Sequence, residues 1–440
     1  MSERALPGFR DFYPEEFAQR AYIMNTWRAV ARRFAFVEYD GPPLESLDLY
    51  TRKSGDEIVG QLYTFTDKGG REVALRPEMT PTVARMVAAR ANALRKPVRW
   101  FSMPQLFRYE RQQKGRLREH FQLNVDIFGE ADVTADAELA AVAVEVMRAF
   151  GLTAGDVRLR FSDRRLITAL LVDAGVTESQ MPSAYAALDK MERISADAFG
   201  EMLTDAGIAG EAQRRVTALV TKSLHELAQE YAHHVTIAPL LGTLERYRTH
   251  LGALGVEAYA ELDLRIVRGL AYYTGIVFEL FDAKGEFRAI CGGGRYDTLL
   301  AALGGADLPA LGFGLGDVVL GDLLRARGLM PTDVPGPDFW VIGAESHGID
   351  TVMGVARELR DRGFGVEYAL KAQSTSKQQK AAHSANARFV LHLDEGFRDN
   401  RAATVRDLRT PAGKQTYAPD GAVPLDRIIE TIAADRDRIF

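Results

Sequence analysis

The sequence predicts an α+β protein: an antiparallel sheet flanked by helices, a mainly helical insertion, and a C-terminal α/β domain. Three observations predict it. Residues 121–128, FQLNVDIF, alternate apolar and polar side chains as a half-buried strand does. Residues 162–255 carry mostly helical patterning. Residues 327–339, RGLMPTDVPGPDF, hold three prolines and two glycines, and beyond them strand and helix patterns alternate. The expected organisation is therefore a first domain over 1–330 with its insertion at about 162–255, a linker at 331–337, and a second domain over 338–440 with a partly parallel sheet.

The totals exclude several classes. The chain has 440 residues, enough for two to three domains. A net charge of −5 gives no global attraction to DNA or an anionic membrane, so a polyanion must be met by a local basic patch. One cysteine, Cys291, excludes an intrachain disulfide or thiolate cluster and fits a reducing cytoplasm. The N-terminus, MSERALPGFRDFYPEEF, has neither a secretory h-region nor transit-peptide composition. No run approaches the ~18 apolar residues of a membrane span. A cytoplasmic protein is expected, and no spacing of histidines or acids suggests a metal site.

The first helix is expected over 17–36, with Ile23, Trp27, Val30, Ala31 and Phe34 on one side, and DGPPLES at 40–46 stops it. A second runs from about 80 to 94 with Val83, Met86 and Val87 inward. Strands follow at 97–103, 106–111 and 121–128. Thr134 is expected to cap a helix over 135–150 that Gly151 ends. Strand patterns return at 264–268 and 275–281. GGGRYD (292–297) leads into a helix, and LGFGLGDVV (311–319) is a glycine-punctuated strand entering another.

The charged stretch at 107–128 splits by alternation. Phe107 and Tyr109 point one way, Arg108 and Glu110 the other; Phe121, Leu123, Val125 and Ile127 oppose Gln122, Asn124 and Asp126. An antiparallel pair follows, joined by the polar loop QQKGRLREH at 112–120. Its polar face is either a solvated sheet surface or the floor of a binding site. The mixture of Arg, Gln, Asn and Asp favours the site, as does a loop longer than the usual ~2–5 hairpin residues. Lys114, Arg116 and Arg118 have the reach to meet phosphates. LRPEMT (75–80), VRGLAYYTG (267–275) and LGFGLG (311–316) are of the same kind: charge or aromatics beside prolines and glycines. Neither a Walker A loop nor a dinucleotide-binding GxGxxG after a strand is present.

Taken together and in this order, these segments resemble the histidyl-tRNA synthetases, class II aminoacyl-tRNA synthetases. GFRDFYP is similar to the family's N-terminal segment, and the helix ending at Pro43 to its dimer-interface motif 1. Residues 107–128 are similar to motif 2, RGLAYYTG to the histidine-specific RGLDYYTG, and GGGRYDTLL and TVRDL (404–408) to further family stretches. The resemblance implies a class II antiparallel sheet and an anticodon-binding C-terminal domain. It implies ATP with Mg²⁺, L-histidine and tRNA as substrates, and a homodimer.

The implied roles fall residue by residue. Arg108 and Arg268 are the catalytic cations on the α-phosphate. Glu78, Met79 and Thr80 lie about the substrate ammonium, while Gln122, Asp126, Arg268, Tyr272 and Tyr273 hold the rest of histidine. Arg108, Glu110, Arg116, Gly314 and Gly316 bind ATP. No permanent metal is implied. Three positions depart from the family pattern: Val319 stands where motif 3 has an arginine, Asp126 where a glutamate is usual, and Ala271 where RGLDYYTG has an aspartate. Arg116 or bound Mg²⁺ is expected to replace the motif 3 arginine. The alternative is a non-catalytic paralogue, such as a regulatory subunit of ATP phosphoribosyltransferase, which typically lacks a domain like 338–440. Within that domain Lys377, Lys380 and Arg388 either face RNA or solvate a helix.

Overall fold

The computed structural model describes residues 5–51, 60–111, 113, 115–267, 272–332, 334–344, 346–410 and 421–436. The chain forms two compact units, one of Met1–Phe12 and Gln19–Pro331, the other of Tyr13–Ala18 and Thr332–Phe440.

Helix α1 (Pro14–Arg33) has acids in its first turn and arginines in its last, which suits the helix dipole. It buries Ile23, Trp27, Val30 and Ala31. Strands β1 (Val37–Glu38) and β2 (Leu44–Ser46), helix α2 (Leu47–Thr51), and strands β3 (Tyr63–Thr66) and β4 (Glu72–Leu75) follow. Next come α3 (Thr80–Arg90), β5 (Val98–Ser102), β6 (Gln105–Phe107) and β7 (Glu119–Phe128). Helix α4 (Val133–Ala149) leads to β8 (Val157–Asp163).

The insertion then holds α5 (Arg164–Asp173), α6 (Met181–Lys190), α7 (Ala196–Asp205), α8 (Gly210–Leu219), α9 (Leu224–Glu230) and α10 (Ile237–Ala253). The unit closes with β9 (Ala260–Leu262), β10 (Ile276–Asp282), β11 (Cys291–Arg295), α11 (Leu299–Ala302), β12 (Ala310–Gly316) and α12 (Asp317–Ala326).

Among the described residues these strands make a nine-stranded sheet in the order β1-β5-β7-β12-β11-β10-β8-β9, with β6 on β7. Its centre is antiparallel; β1 on β5 and β9 on β8 are parallel. One face buries Leu123, Val125, Ile127, Phe313 and Leu315 against the apolar sides of α1, α4, α10 and α12. The other packs Val83, Ala84 and Val87 of α3 with Tyr273, Val277 and Tyr296. β2, β4 and β3 form a separate small sheet.

Several expectations are corrected here. The strand expected at 106–111 ends at Phe107, because beyond Arg108 the chain leaves the ladder: Tyr109 N donates to Gln61 O at 2.7 Å and Glu110 N turns back onto Arg108 O at 2.8 Å. Residues 264–267 form no strand; β9 lies earlier, and Asp263 instead folds the chain into a turn by accepting from Arg265 N at 3.0 Å. Residue 268 lies outside the described residues. The second helix ends at Arg90 rather than 94, and Met86 is half-buried rather than inward. Asp132, not Thr134, caps α4: its carboxylate accepts from Thr134 N at 3.0 Å. Gly151, at φ +83, ends that helix as expected.

In the second unit, β13 (Phe339–Gly343), α13 (Ile349–Asp361), β14 (Val366–Tyr368), α14 (Thr375–Ser384), β15 (Phe389–Leu393), α15 (Phe397–Asn400), β16 (Ala402–Asp407), β17 (Val423–Pro424) and α16 (Leu425–Arg436) succeed one another. The sheet order is β14-β13-β15-β16-β17, parallel at β13–β14 and β13–β15 and antiparallel beyond. Among the described residues no helix is long and apolar enough to cross a membrane.

Candidate active site

The polar face of the central sheet is built by register. Trp100, Asp126, Gly312, Gly294 and Val277 lie in one row across five strands; Ser102, Asn124, Gly314, Gly292 and Glu279 lie in the next. The glycines explain the depth of this face. A β-carbon at 312 would collide with the Asp126 carboxylate, and one at 314 would lie 2.7 Å from Gln122 Cδ. The large side chains of β7 therefore fold across the bare backbone of β12. The space at 314 belongs to Gln122; Gly316, the N-cap of α12, is open apart from His120 at 4.0 Å.

Asp126 is buried, and the Tyr296 hydroxyl donates to its Oδ1 at 2.5 Å. Burial raises the carboxyl pKa to about 7, although the Tyr296 hydrogen bond opposes the rise. Tyr296 stacks edge-on with Tyr272 at 5.9 Å, and Tyr272 lies 5.0 Å from Tyr273. The Tyr272 hydroxyl donates to Glu78 Oε2 at 3.3 Å. Asp126, Tyr296, Tyr272 and Glu78 thus form a connected string from the floor of the sheet to the start of α3. Met79 is fully buried as the residue before that helix, and Thr80 opens it half-buried. Tyr39 and Ser102 add two buried hydroxyls on the Asp126 side. Tyr39's hydroxyl is driven well above its ordinary pKa by burial and by Asp126.

Arg108 reaches the same end of the string. Its Nε donates to Pro77 O at 3.0 Å, beside Glu78, while its terminal nitrogens have no hydrogen-bond partner among the described residues. Arg76, by contrast, is structural. Buried to 5% exposure, it donates to Asp40 at 2.9 Å, Gly41 O at 2.7 Å and Gln105 O at 3.0 Å, and so ties three segments together.

Between Arg108 and Arg118 the described residues form a narrow hairpin. Gln113 and Arg116 exchange backbone hydrogen bonds around Gly115, whose φ of +75 makes the turn. Arg116 Nη1 pairs with Glu110 Oε2 at 2.7 Å. Arg118 stacks on Tyr109 at 4.3 Å, and its N–H donates to Gly8 O at 3.0 Å. Gly115 lies over Val319: a β-carbon there would be 3.3 Å from Val319 Cγ2. The loop tip therefore covers the start of α12.

A clasp from the N-terminal segment holds this arrangement. Arg10 Nε donates to Glu119 Oε1 at 2.6 Å and Arg10 Nη1 to Asp317 Oδ2 at 2.9 Å, joining β7 to α12. Asp317 also accepts from Phe121 N at 2.9 Å. Burial raises the Asp317 pKa, and Arg10 opposes that rise. His120 is kept neutral, its pKa lowered to about 3 by burial and then by the nearby charges of Arg108 and Arg10.

The structure thus brings together Glu78, Arg108, Asp126, Tyr272 and Tyr273, with Gln122 on the same sheet face. Glu110 and Arg116 sit apart in the loop. Arg268, Lys114 and Ala271 lie outside the described residues. Sequence reasoning assigned no role to Tyr296, Tyr39 or Arg10. Tyr296 stood inside the quoted GGGRYD, but its partner is 170 positions away. Among the described residues no group of three or more His, Cys, Asp and Glu side chains is placed to hold a metal ion.

Comparison with known proteins places the chain in a family. The chain is 46% identical over 417 residues to the histidine–tRNA ligase of Opitutus terrae, covering 92% of this chain and 94% of that one. It is 40% identical over 402 residues to the chloroplastic/mitochondrial histidine–tRNA ligase of Arabidopsis thaliana, covering 91% and 82%. Its fold is that of the histidyl-tRNA synthetase of Nostoc, with a TM-score of 0.83 at 24% identity over 99% of this chain and 100% of that one. The Staphylococcus aureus enzyme matches with a TM-score of 0.70 at 22% identity, over 98% and 99%. The pattern of the family described as histidyl-tRNA synthetase matches residues 8–317, and with that match and these relatives the chain belongs to the histidyl-tRNA synthetase family.

Proposed function

We propose that the chain is a histidine–tRNA ligase, which activates histidine with ATP and transfers it to the 3′ end of its tRNA. The observation that carries the reading is the string Asp126–Tyr296–Tyr272–Glu78 ending beside Arg108. It supplies an acceptor for an imidazole N–H at one end, a carboxylate for an ammonium at the other, and a cation next to it. Near-full-length relatives named histidine–tRNA ligase disfavour the regulatory-subunit alternative.

In the first half-reaction a histidine carboxylate oxygen attacks the α-phosphorus of MgATP. That P–O bond forms as the bond to the β-phosphate oxygen breaks, and pyrophosphate leaves. Charge accumulates on the α-phosphate oxygens, so fixed cations are the main requirement. Arg108, anchored through Nε with its terminal nitrogens free among the described residues, fits that role; Arg268 is assigned a second cation role. Glu78 and Thr80 receive the ammonium and Met79 walls it, while Gln122, Tyr272 and Tyr273 line the amino acid. Asp126, held by Tyr296, takes the imidazole. A buried acceptor of this kind rejects isosteres that lack an N–H. Glu110, Gly314 and Gly316 border the nucleotide. In the second half-reaction the tRNA 3′ hydroxyl attacks the carbonyl of the adenylate and AMP leaves.

We assign the cytoplasm as the compartment and a homodimer as the assembly. Val37, Leu44 and Phe65 are exposed apolar residues on the short outer strands, and they supply a surface for a second copy. The second unit is assigned to the anticodon stem; Lys377 and Lys380 are exposed on α14 while Ala382 is buried. The test of the whole reading is pyrophosphate exchange into ATP. Exchange that requires histidine is expected, and none at saturating histidine and Mg²⁺ would remove the ligase reading.

A further inference from the structure

Val319 leaves the first turn of α12 without a cation of its own, yet the space around it is not short of cations. The turn between β10 and β11, residues 283–290, ends beside β12: Gly316 N donates to Ile290 O at 3.4 Å. Arg288 rises from that turn. The loop tip at Gly115 lies between Arg288 and Val319, since a β-carbon on Gly115 would meet Val319 Cγ2 at 3.3 Å and Arg288 Cδ at 3.9 Å. Arg116 follows in the same turn, and Arg193, from the short helical turn Met191–Arg193 of the insertion, lies near enough for its charge to act on Arg288. Three guanidiniums therefore gather where a single carboxylate, Glu110, is close, and Arg116 already pairs with it at 2.7 Å. Arg288 and Arg193 have no ion-pair partner among the described residues: the nearby acids Glu192 and Glu286 are engaged by Arg160, Arg265 and Arg327.

Cations gathered without counter-charge repel one another unless an anion joins them. The Arg288 guanidinium is held below its ordinary pKa by burial, and then by Arg116 and Arg193. An anion with charge spread over several oxygens relieves all three and suits guanidinium geometry. Position identifies its source. Gln122, Gly316 and Ile290 are neighbours across β7, β12 and the start of β11, so Arg288 stands at the same end of the polar face as the 108–118 loop.

We infer that Arg288, with Arg116 and Arg193, grips the terminal phosphates of ATP, taking the place of a cation at position 319. The inference rests on the ATP-dependent activation proposed above. It also accounts for the valine. A long charged side chain at 319 would occupy the space into which Gly115 packs, so the loop tip and a cation at 319 exclude each other.

The test is histidine-dependent pyrophosphate exchange by the full-length protein, Arg288→Ala and Arg288→Lys, with inorganic tripolyphosphate and AMP as competing probes. Arg288→Ala is expected to raise the KM for ATP and for pyrophosphate by about tenfold, the loss of one charge-assisted contact. The KM for histidine stays within about twofold. Tripolyphosphate inhibition weakens in step while AMP inhibition does not, and Arg288→Lys recovers part of the loss. Unchanged ATP and pyrophosphate KM values in Arg288→Ala overturn the inference. So does an equal weakening of AMP, which would mean local disorder, or, in aminoacylation run alongside, a rise confined to the KM for tRNA, which would place RNA backbone there. Absence of exchange by the unaltered protein overturns the parent reading instead, so the two failures are distinguishable.

Discussion

The Tyr296 hydroxyl donates a 2.5 Å hydrogen bond to the buried carboxylate of Asp126, and this bond opposes the rise that burial imposes on the carboxyl pKa. With that pKa near 7, the free protein exchanges a proton at Asp126 around neutrality. Activity toward histidine, read as kcat/KM in pyrophosphate exchange, is expected to fall below about pH 7 as the acceptor protonates. Tyr296→Phe removes the opposing hydrogen bond and should move that acid limb upward. The substrate imidazole titrates equally in both assays, so the difference between variants reports Asp126; coincident limbs would detach the bond from histidine binding.

The same shift has a stability consequence with a fixed sign. Asp126 binds its proton more tightly folded than unfolded, so its contribution is fully present below the unfolded value near 3.8 and is lost as pH rises to about 7. Denaturation midpoints of the unaltered protein, relative to Asp126→Asn, should decline across that window and level off above it.

Gly312→Ala puts a methyl group into the Asp126 carboxylate. The carboxylate must swing away from Tyr296, and a rise in the histidine KM of about tenfold or more is expected. Gly354→Ala offers a control for handling, because no atom lies within 4 Å of a β-carbon there and its backbone is helical.

Arg108→Ala should lower the rate of adenylate formation on the order of 10²-fold or more, with histidine affinity largely retained. Single-turnover formation of histidyl-adenylate measures it, and a rate near that of the unaltered protein would move the role elsewhere. Arg268→Ala is expected to behave alike.

Arg10→Ala leaves Glu119 and Asp317 buried with a lost cation between them. A destabilisation of about 2 kcal/mol or more is expected, less than for a fully buried pair because Arg10 remains partly exposed. Chemical denaturation measures it, and Arg10→Lys should recover only part, since one ammonium cannot reproduce the two-armed geometry.

Much of the molecule was legible because local period and burial coincide. In α1 the helical spacing named Ile23, Trp27, Val30, Ala31 and Phe34; the first four are buried, and Phe34 lies just past the helix end, half-buried. In β7 the alternation separated Leu123, Val125 and Ile127 from Gln122 and Asp126, as the sheet does. The failures fall where local or long-range hydrogen bonds beat propensity. Asp132 outcompetes Thr134 as a cap, and Asp263 turns a β-rich stretch away from the sheet. Tyr109 and Glu110 read as strand residues, but their backbone N–H groups bond to Gln61 O and Arg108 O rather than to β7. The contacts of Tyr296 with Asp126 and of Arg288 with the turn at Gly115 join segments more than 150 positions apart, and no local pattern announces them.

The interleaving of β7 with β12 also bears on how this site changes over descent. Asp126 folds across Gly312 and Gln122 across Gly314, so each pair is one unit of inheritance spread over two distant codons. A longer acid at 126 would demand the same bare backbone opposite it, and a side chain at 312 would be tolerated only after 126 had shrunk. Drift at either strand is thereby throttled by the other, and the acid at 126 is guarded by a glycine on a distant strand.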